Sequence, residues 1–251
     1  MKTKLLISLY LPVFLNLFIS GAVSAQVKNN MSKSGIDTSR TEAKAMIQTR
    51  DGGFAITGFI QSYKGGSSDV YVVKLDGNGK TEWTRSVGGP KDEEGSSIVQ
   101  TKDGGYAIAG YTNSYGAGGE DVYVVKLDKT GNVKWTKTLG GKSDDRGFSI
   151  IEAKDGGLVI AGSSDSYKVE YEYIIKLDSQ GNVKWSTGIP GSACALVESK
   201  DGNVAVCGNG VYPWQDYMIV SKIDTSGNTT WNKVITDSIV NYGGVIHNIN
   251  Q

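Results

Sequence analysis

Aromatic rings and carboxylates recur side by side along this 251-residue chain. Tyr63, Tyr115, Tyr167 and Tyr212 fall at near-regular intervals, and acids follow each one: Asp69, then Glu120 and Asp121, then Glu170 and Glu172, then Asp216. An aromatic face beside carboxylates suits the hydroxyls and apolar C–H faces of a sugar, or a basic peptide. The competing use is structural, each tyrosine packing against the neighbouring repeat. The fourth copy breaks the pattern with Tyr212-Pro213-Trp214-Gln215-Asp216, where Trp214 is the one tryptophan outside a repeated slot. A tryptophan beside a proline-stiffened loop can anchor a partner, or it can plug or cap the last repeat. The candidate binding set is Tyr63, Tyr115, Tyr167, Tyr212, Trp214, Asp121 and Asp216.

Catalytic constellations are sparse. The single histidine, His247, has no partner placed by the pattern, and no His/Cys/Asp cluster has metal-ligand spacing. No Gly-x-Ser-x-Gly elbow occurs, and the four arginines (Arg40, Arg50, Arg85, Arg146) are scattered. Paired carboxylates for glycoside hydrolysis can be drawn from Glu120, Asp121, Glu170 and Glu172, which keeps a carbohydrate-active enzyme, or an accessory domain of one, as the alternative to a non-catalytic module. The Asp-x-x-Gly turns at Asp76, Asp128, Asp178 and Asp224 offer too few oxygens for a calcium loop, which spreads its ligands over about 12 residues; turn chemistry explains them. Asp92-Glu93-Glu94 and Asp144-Asp145 read as a solvated acidic edge. No cofactor or metal is expected.

What positions these residues is a repeat. Asp-Gly recurs at 51, 103, 155 and 201, and tryptophan at 83, 135, 185 and 231. Spacings of roughly 40–50 residues mark stacked β-units such as propeller blades. Each unit reads as four strands. In the second, they are Ser96–Thr101, a tight turn at Asp103-Gly104, Tyr106–Thr112, a loop over Asn113–Glu120, Asp121–Asp128, and Val133–Leu139. The third strand is apolar at nearly every position, which requires cover on both faces. Blades packed around a ring give an antiparallel strand that cover. The fourth strand alternates and carries lysines, as suits an outer edge. The fold class is therefore all-β, a β-propeller of four-stranded antiparallel blades over about 42–88, 94–140, 146–188 and 192–235. Residues 241–251 resemble the first strand of a fifth blade, so the chain also reads as part of a larger ring.

The stretches WTKTLGGKSDDRGFSIIEAKDGGLVIAG (135–162) and SYGAGGEDVYVVKLDKTGNVKW (114–135) resemble the propeller repeats of exported bacterial and archaeal surface proteins. The likeness covers roughly Glu42 to Gln251. It implies a propeller, extracellular placement and often a larger modular parent, and no set activity. Asp128-Lys129-Thr130-Gly131 with Trp135 is more distantly similar to the tryptophan-docking repeat of quinone-dependent dehydrogenases, a likeness of blade packing that carries no quinone site. The sequence departs from the surface proteins in lacking a lipobox cysteine, and its fourth repeat is degenerate.

Lys2 and Lys4 precede an apolar stretch from Leu5 to Ile19, and Val23-Ser24-Ala25 fits a signal-peptidase site. The expectation is a signal peptide over 1–25, a lead-in over 26–41, and a secreted or cell-surface protein with no other membrane-crossing segment. Cleavage leaves 24 basic against 26 acidic residues, which argues against nucleic-acid binding. Cys194 and Cys207 flank the Asp201-Gly202 turn as near neighbours across a hairpin, open either to a disulfide in an oxidising compartment or to two buried thiols. The expected role is a binding or scaffold module for protein or glycan partners, with a homodimer completing a larger ring as one arrangement.

Overall fold

The computed structural model describes residues 38–62, 66–166, 171–190, 192–212 and 215–235. The signal peptide, most of the lead-in, the partial blade at 241–251, Tyr63, Tyr167, Glu170, Trp214 and His247 lie outside these residues. The described chain is sixteen strands in four antiparallel sheets, each with its strands in chain order. The sheets are β1–β4 (Thr38–Gln48, Phe54–Ser62, Ser68–Leu75, Thr81–Val87), β5–β8 (Glu93–Gln100, Tyr106–Thr112, Asp121–Leu127, Val133–Leu139), β9–β12 (Asp145–Glu152, Leu158–Ser164, Tyr171–Leu177, Val183–Pro190) and β13–β16 (Ser192–Glu198, Val204–Tyr212, Gln215–Ile223, Thr229–Ile235). These are the blades of a propeller. The first strand of each lies across the first three strands of the blade before it: β5 on β1–β3, β9 on β5–β7, β13 on β9–β11.

The core is correspondingly divided among the junctions. Val70, Val72, Ile98, Tyr106 and Ile108 pack between the first and second blades. Val122, Val124, Ile150, Ile160 and Leu177 fill the next junction, and Val159, Ile174, Leu196, Val206 and Ile219 the third. As the apolar run requires, β7 is buried at every residue while β8 mixes exposed and half-buried positions.

Two local features differ from the sequence reading. The Asp-Gly hairpins hold three residues in the loop, one more than the Asp-Gly pair itself: Ser199 N–H donates to Asn203 O at 2.8 Å and Gly202 N–H to Ser199 O at 3.0 Å. Gly202 sits at φ +83°, the left-handed residue that closes a type I turn with a bulge. Each first strand also carries a bulge at one slot, occupied by Lys44, Ser96, Phe148 and Cys194. Cys194 is thus the extra residue between the pairs Ala193–Gly208 and Ala195–Cys207. Cys207 is a free, half-buried thiol, and the side chain of Cys194 lies outside the described residues. The first strands also begin earlier than expected, at Thr38, Glu93 and Asp145.

Candidate functional site

The meander fixes two opposite rims. The loops between second and third strands and the blade-to-blade connections lie on one; the Asp-Gly and Asp-x-x-Gly turns lie on the other. On the loop rim, Tyr115 is the candidate aromatic whose side chain the structure describes. The residue is 45% exposed, its hydroxyl donates to Gly88 O of the preceding connection at 3.2 Å, and its ring leans on Tyr123 with centroids 6.0 Å apart. Its backbone N–H is drawn to Thr112 Oγ1 at 3.3 Å. The ring is thereby held in one place while a face stays open to solvent. Tyr212 and Asp216 lie on β14 and β15, paired backbone to backbone with Gln215 and Val211; their side chains, like that of Glu172, are outside the described residues.

Asp121 is not on the surface of that rim. It is 1% exposed and accepts the Ala117 N–H at 3.1 Å. Burial raises its carboxyl above the ordinary range, with the charge of Asp145 adding to the rise and the N–H donors of Ala117 and Gly118 opposing it. Glu120 is tied to Arg146 by an ion pair, and the Arg146 guanidinium stands 5.9 Å from the centre of the Tyr111 ring.

The acidic edge expected to be solvated is instead split. Asp92 is exposed, but Glu93 and Asp145 are fully buried at the heads of β5 and β9. Glu93 Oε2 accepts Gly89 N–H at 2.6 Å and its Oε1 accepts the Thr112 hydroxyl at 2.6 Å. Asp145 Oδ2 accepts Gly141 N–H at 2.7 Å and the Ser166 hydroxyl at 2.6 Å, while its Oδ1 is buried without a partner among the described residues. Each stands beside a third-strand acid: a β-carbon on Gly88 would meet both Asp69 and Glu93, and one on Gly140 both Asp121 and Asp145. Burial and the neighbouring Glu93 charge raise Asp69, against the Ser86 hydroxyl bonded to it. At the third junction the corresponding residues are Tyr171 and Gly191, so both acids are lost together. Shared loss within one chain marks the two acids as a unit. The connection acids sit two residues before Gly95 and Gly147, and that inward register was the signal available in the sequence.

The turn rim is a row of ion pairs. The third-strand lysine of each blade meets the aspartate of its Asp-Gly turn: Lys74–Asp51 at 3.0 Å, Lys126–Asp103 at 3.0 Å, Lys176–Asp155 at 2.6 Å and Lys222–Asp201 at 2.6 Å. The hydroxyl of Thr49, then Lys74 and the Gly53 N–H, hold the Asp51 carboxyl far below the usual range. Burial opposes the same fall at Asp103, where Thr101 and Lys126 prevail. Asp128, which caps its own turn by accepting from Asn132 and Thr130, is lowered to about 2. Among the described residues no group of three or more His, Cys, Asp or Glu could hold a metal ion.

No family model matches the chain. It is 29% identical over 114 residues to the regulatory protein FlaEY of Caulobacter vibrioides, a match covering 40% of this chain and 12% of that protein. Among solved structures, a protein of unknown function from Bacteroides caccae superposes with a TM-score of 0.52 at 12% identity, over 76% of this chain and 60% of that one. Sqt1 from Chaetomium thermophilum aligns over 73% of this chain and 43% of its own length, at 15% identity and a TM-score of 0.43. The Bacteroides likeness concerns the fold alone.

Proposed function

We propose that this propeller is an exported binding module that recognises protein or glycan partners through its loop rim. The observation that carries the reading is Tyr115, a large aromatic kept nearly half exposed while its hydroxyl and ring edge are fixed. A ring already held in one position loses little entropy on binding, which favours affinity. The basic start, apolar stretch and small-x-small site of residues 1–25 support export. Asp121 and Asp145 are shut away from solvent and Glu120 is paired with Arg146, which leaves these three poorly placed to act as a hydrolytic pair.

The test is retention on immobilised plant and bacterial polysaccharides and on basic peptides. Tyr115→Ala and Trp214→Ala are expected to abolish retention while thermal unfolding stays nearly unchanged. Unfolding at much lower temperature would show that these rings serve packing. Release of reducing ends during incubation would move the function to glycoside hydrolysis.

A further inference from the structure

In three of the four blades a hydroxyl closes the turn rim around the lysine–aspartate pair. Thr49 donates to Asp51, Thr101 donates to Asp103 at 2.5 Å and Ser199 donates to Asp201 at 2.5 Å. The third blade has Ala153 in that slot. In the second blade that hydroxyl also meets the lysine itself. Lys126 Nζ donates to Thr101 Oγ1, to both oxygens of Asp103 and to Leu127 O, all within 3.1 Å. Lys74 Nζ reaches Asp51, Glu82 and Leu75 O. Lys176 is as buried as these, 7% exposed, yet it bonds Asp155 Oδ1 alone among the described residues. An ammonium carries three donors, so two of them are left to a buried surrounding.

That surrounding is a cleft. A space of about 160 Å³ opens between the third and fourth blades, lined by Ala153, Lys176, Val159, Val204, Trp185 and Glu198 among others. The missing hydroxyl, the under-used ammonium and the cleft coincide. Trp185 is fixed there: its Nε1–H donates to Thr225 O at 3.0 Å, and the Gly227 turn lies against its ring.

From this juxtaposition we infer that the cleft binds a single neutral sugar ring, with Lys176 donating to ring hydroxyls and Trp185 supplying an apolar wall. Size sets the first limit, since the space is well below the ~300–1,000 Å³ of drug-sized pockets. Charge sets the second. The lining acids Asp155, Glu198 and Asp224 outnumber Lys154 and Lys176, and Lys154 is spent on Ser199 O and Lys200 O. An anionic ligand would face that excess, whereas a neutral polyol can both accept from Lys176 and donate to a carboxylate. The site is on the turn rim, opposite Tyr115, and stands independently of the loop-rim reading.

Calorimetric titration of the whole chain with the methyl glycosides of glucose, galactose, mannose and N-acetylglucosamine tests the assignment. Saturable binding in the millimolar range is expected for at least one. Ala153→Thr restores the hydroxyl that the other blades carry, so it should fill the cleft, weaken that binding at least tenfold and leave the unfolding temperature equal or higher. Lys176→Met should weaken it likewise. The inference is overturned by an absence of saturable heat up to about 100 mM of every glycoside, by tighter binding of glucuronate than of its neutral counterpart, or by full affinity in Ala153→Thr.

Discussion

The second and fourth blades are the same four-stranded unit under different cover. In the second, β8 is partly sheltered and Trp135 rests against the Gly181 turn of the next blade. In the fourth, β16 is exposed at every residue, Trp231 is 46% exposed, and Val197 and Met218 are exposed as well. Identical residues in identical slots thus differ in what they contribute, because the contribution belongs to the junction and not to the blade. The turns of the second and third blades show the same dependence: Lys102 donates to Ala153 O and Lys154 O, and Lys154 to Ser199 O and Lys200 O, each reaching one blade onward.

The largest contrast should come from the tryptophans. Trp135→Ala removes a ring packed into the junction core and is expected to cost about 3 kcal/mol, near the lower end for a large aromatic truncation. Trp231→Ala should cost less than about 1 kcal/mol. Chemical denaturation of both variants makes the comparison, and equal losses would show that the fourth blade is covered in solution.

Glycine offers a contrast of the same kind at nearly constant backbone geometry. Gly79 and Gly131 occupy equivalent turns at φ +80° and +81°. A β-carbon at Gly79 meets nothing within 4 Å, whereas one at Gly131 would overlap Trp83 at 2.6 Å. Both alanine variants bear the left-handed backbone cost of about 1 kcal/mol. Gly131→Ala should lose roughly 2 kcal/mol more through overpacking. The difference in unfolding free energy between the two isolates the tryptophan contact, and Gly79→Ala as damaging as Gly131→Ala would sink it.

The ion pairs give a smaller step. Removing the acid in Asp103→Ala strands Lys126, whose side chain is 8% exposed, and should cost about 2 kcal/mol. In Asp201→Ala the stranded Lys222 is 24% exposed and can turn to water, so the expected loss is under about 1 kcal/mol. Thermal unfolding at neutral pH separates the pair.

How much of this is written locally explains what the sequence could convey. Strand identity is local: Tyr106–Thr112 and Val133–Leu139 begin and end where the apolar pattern and turn residues place them. Register is less so, because a three-residue loop closed by Gly202 and a bulge at Cys194 each shift pairing without changing composition. The buried acids were hidden for a third reason. Asp92-Glu93-Glu94 looks like a solvated connection in one dimension, and only the return of Gly89, Thr112 and Ser114 around Glu93 makes burial affordable. Ala153 was visible as a lone departure at its slot. Its consequence needed the neighbouring Lys176 and the junction beyond it, both distant in sequence.

The subtlest contrast is between junctions with and without a carboxylate pair. Asp121 has its value raised in the folded state by burial and by Asp145. A raised group contributes its full stability below its unfolded value near 4 and loses that contribution as pH climbs through the folded value. The turn aspartates do the reverse, since Asp51 and Asp103 are lowered and contribute above the unfolded value, losing that stability as pH falls. The whole-protein pH profile therefore mixes opposing slopes, and only a difference between variants isolates the pair. Asp121→Asn keeps an oxygen for the Ala117 N–H, adds an amide donor toward Asp145, and does not titrate. Its stability relative to the parent should rise between pH 4 and pH 7. A difference that stays flat over that range would mean that Asp121 ionises freely beside Asp145, and the two acids would then be neighbours without being a coupled pair.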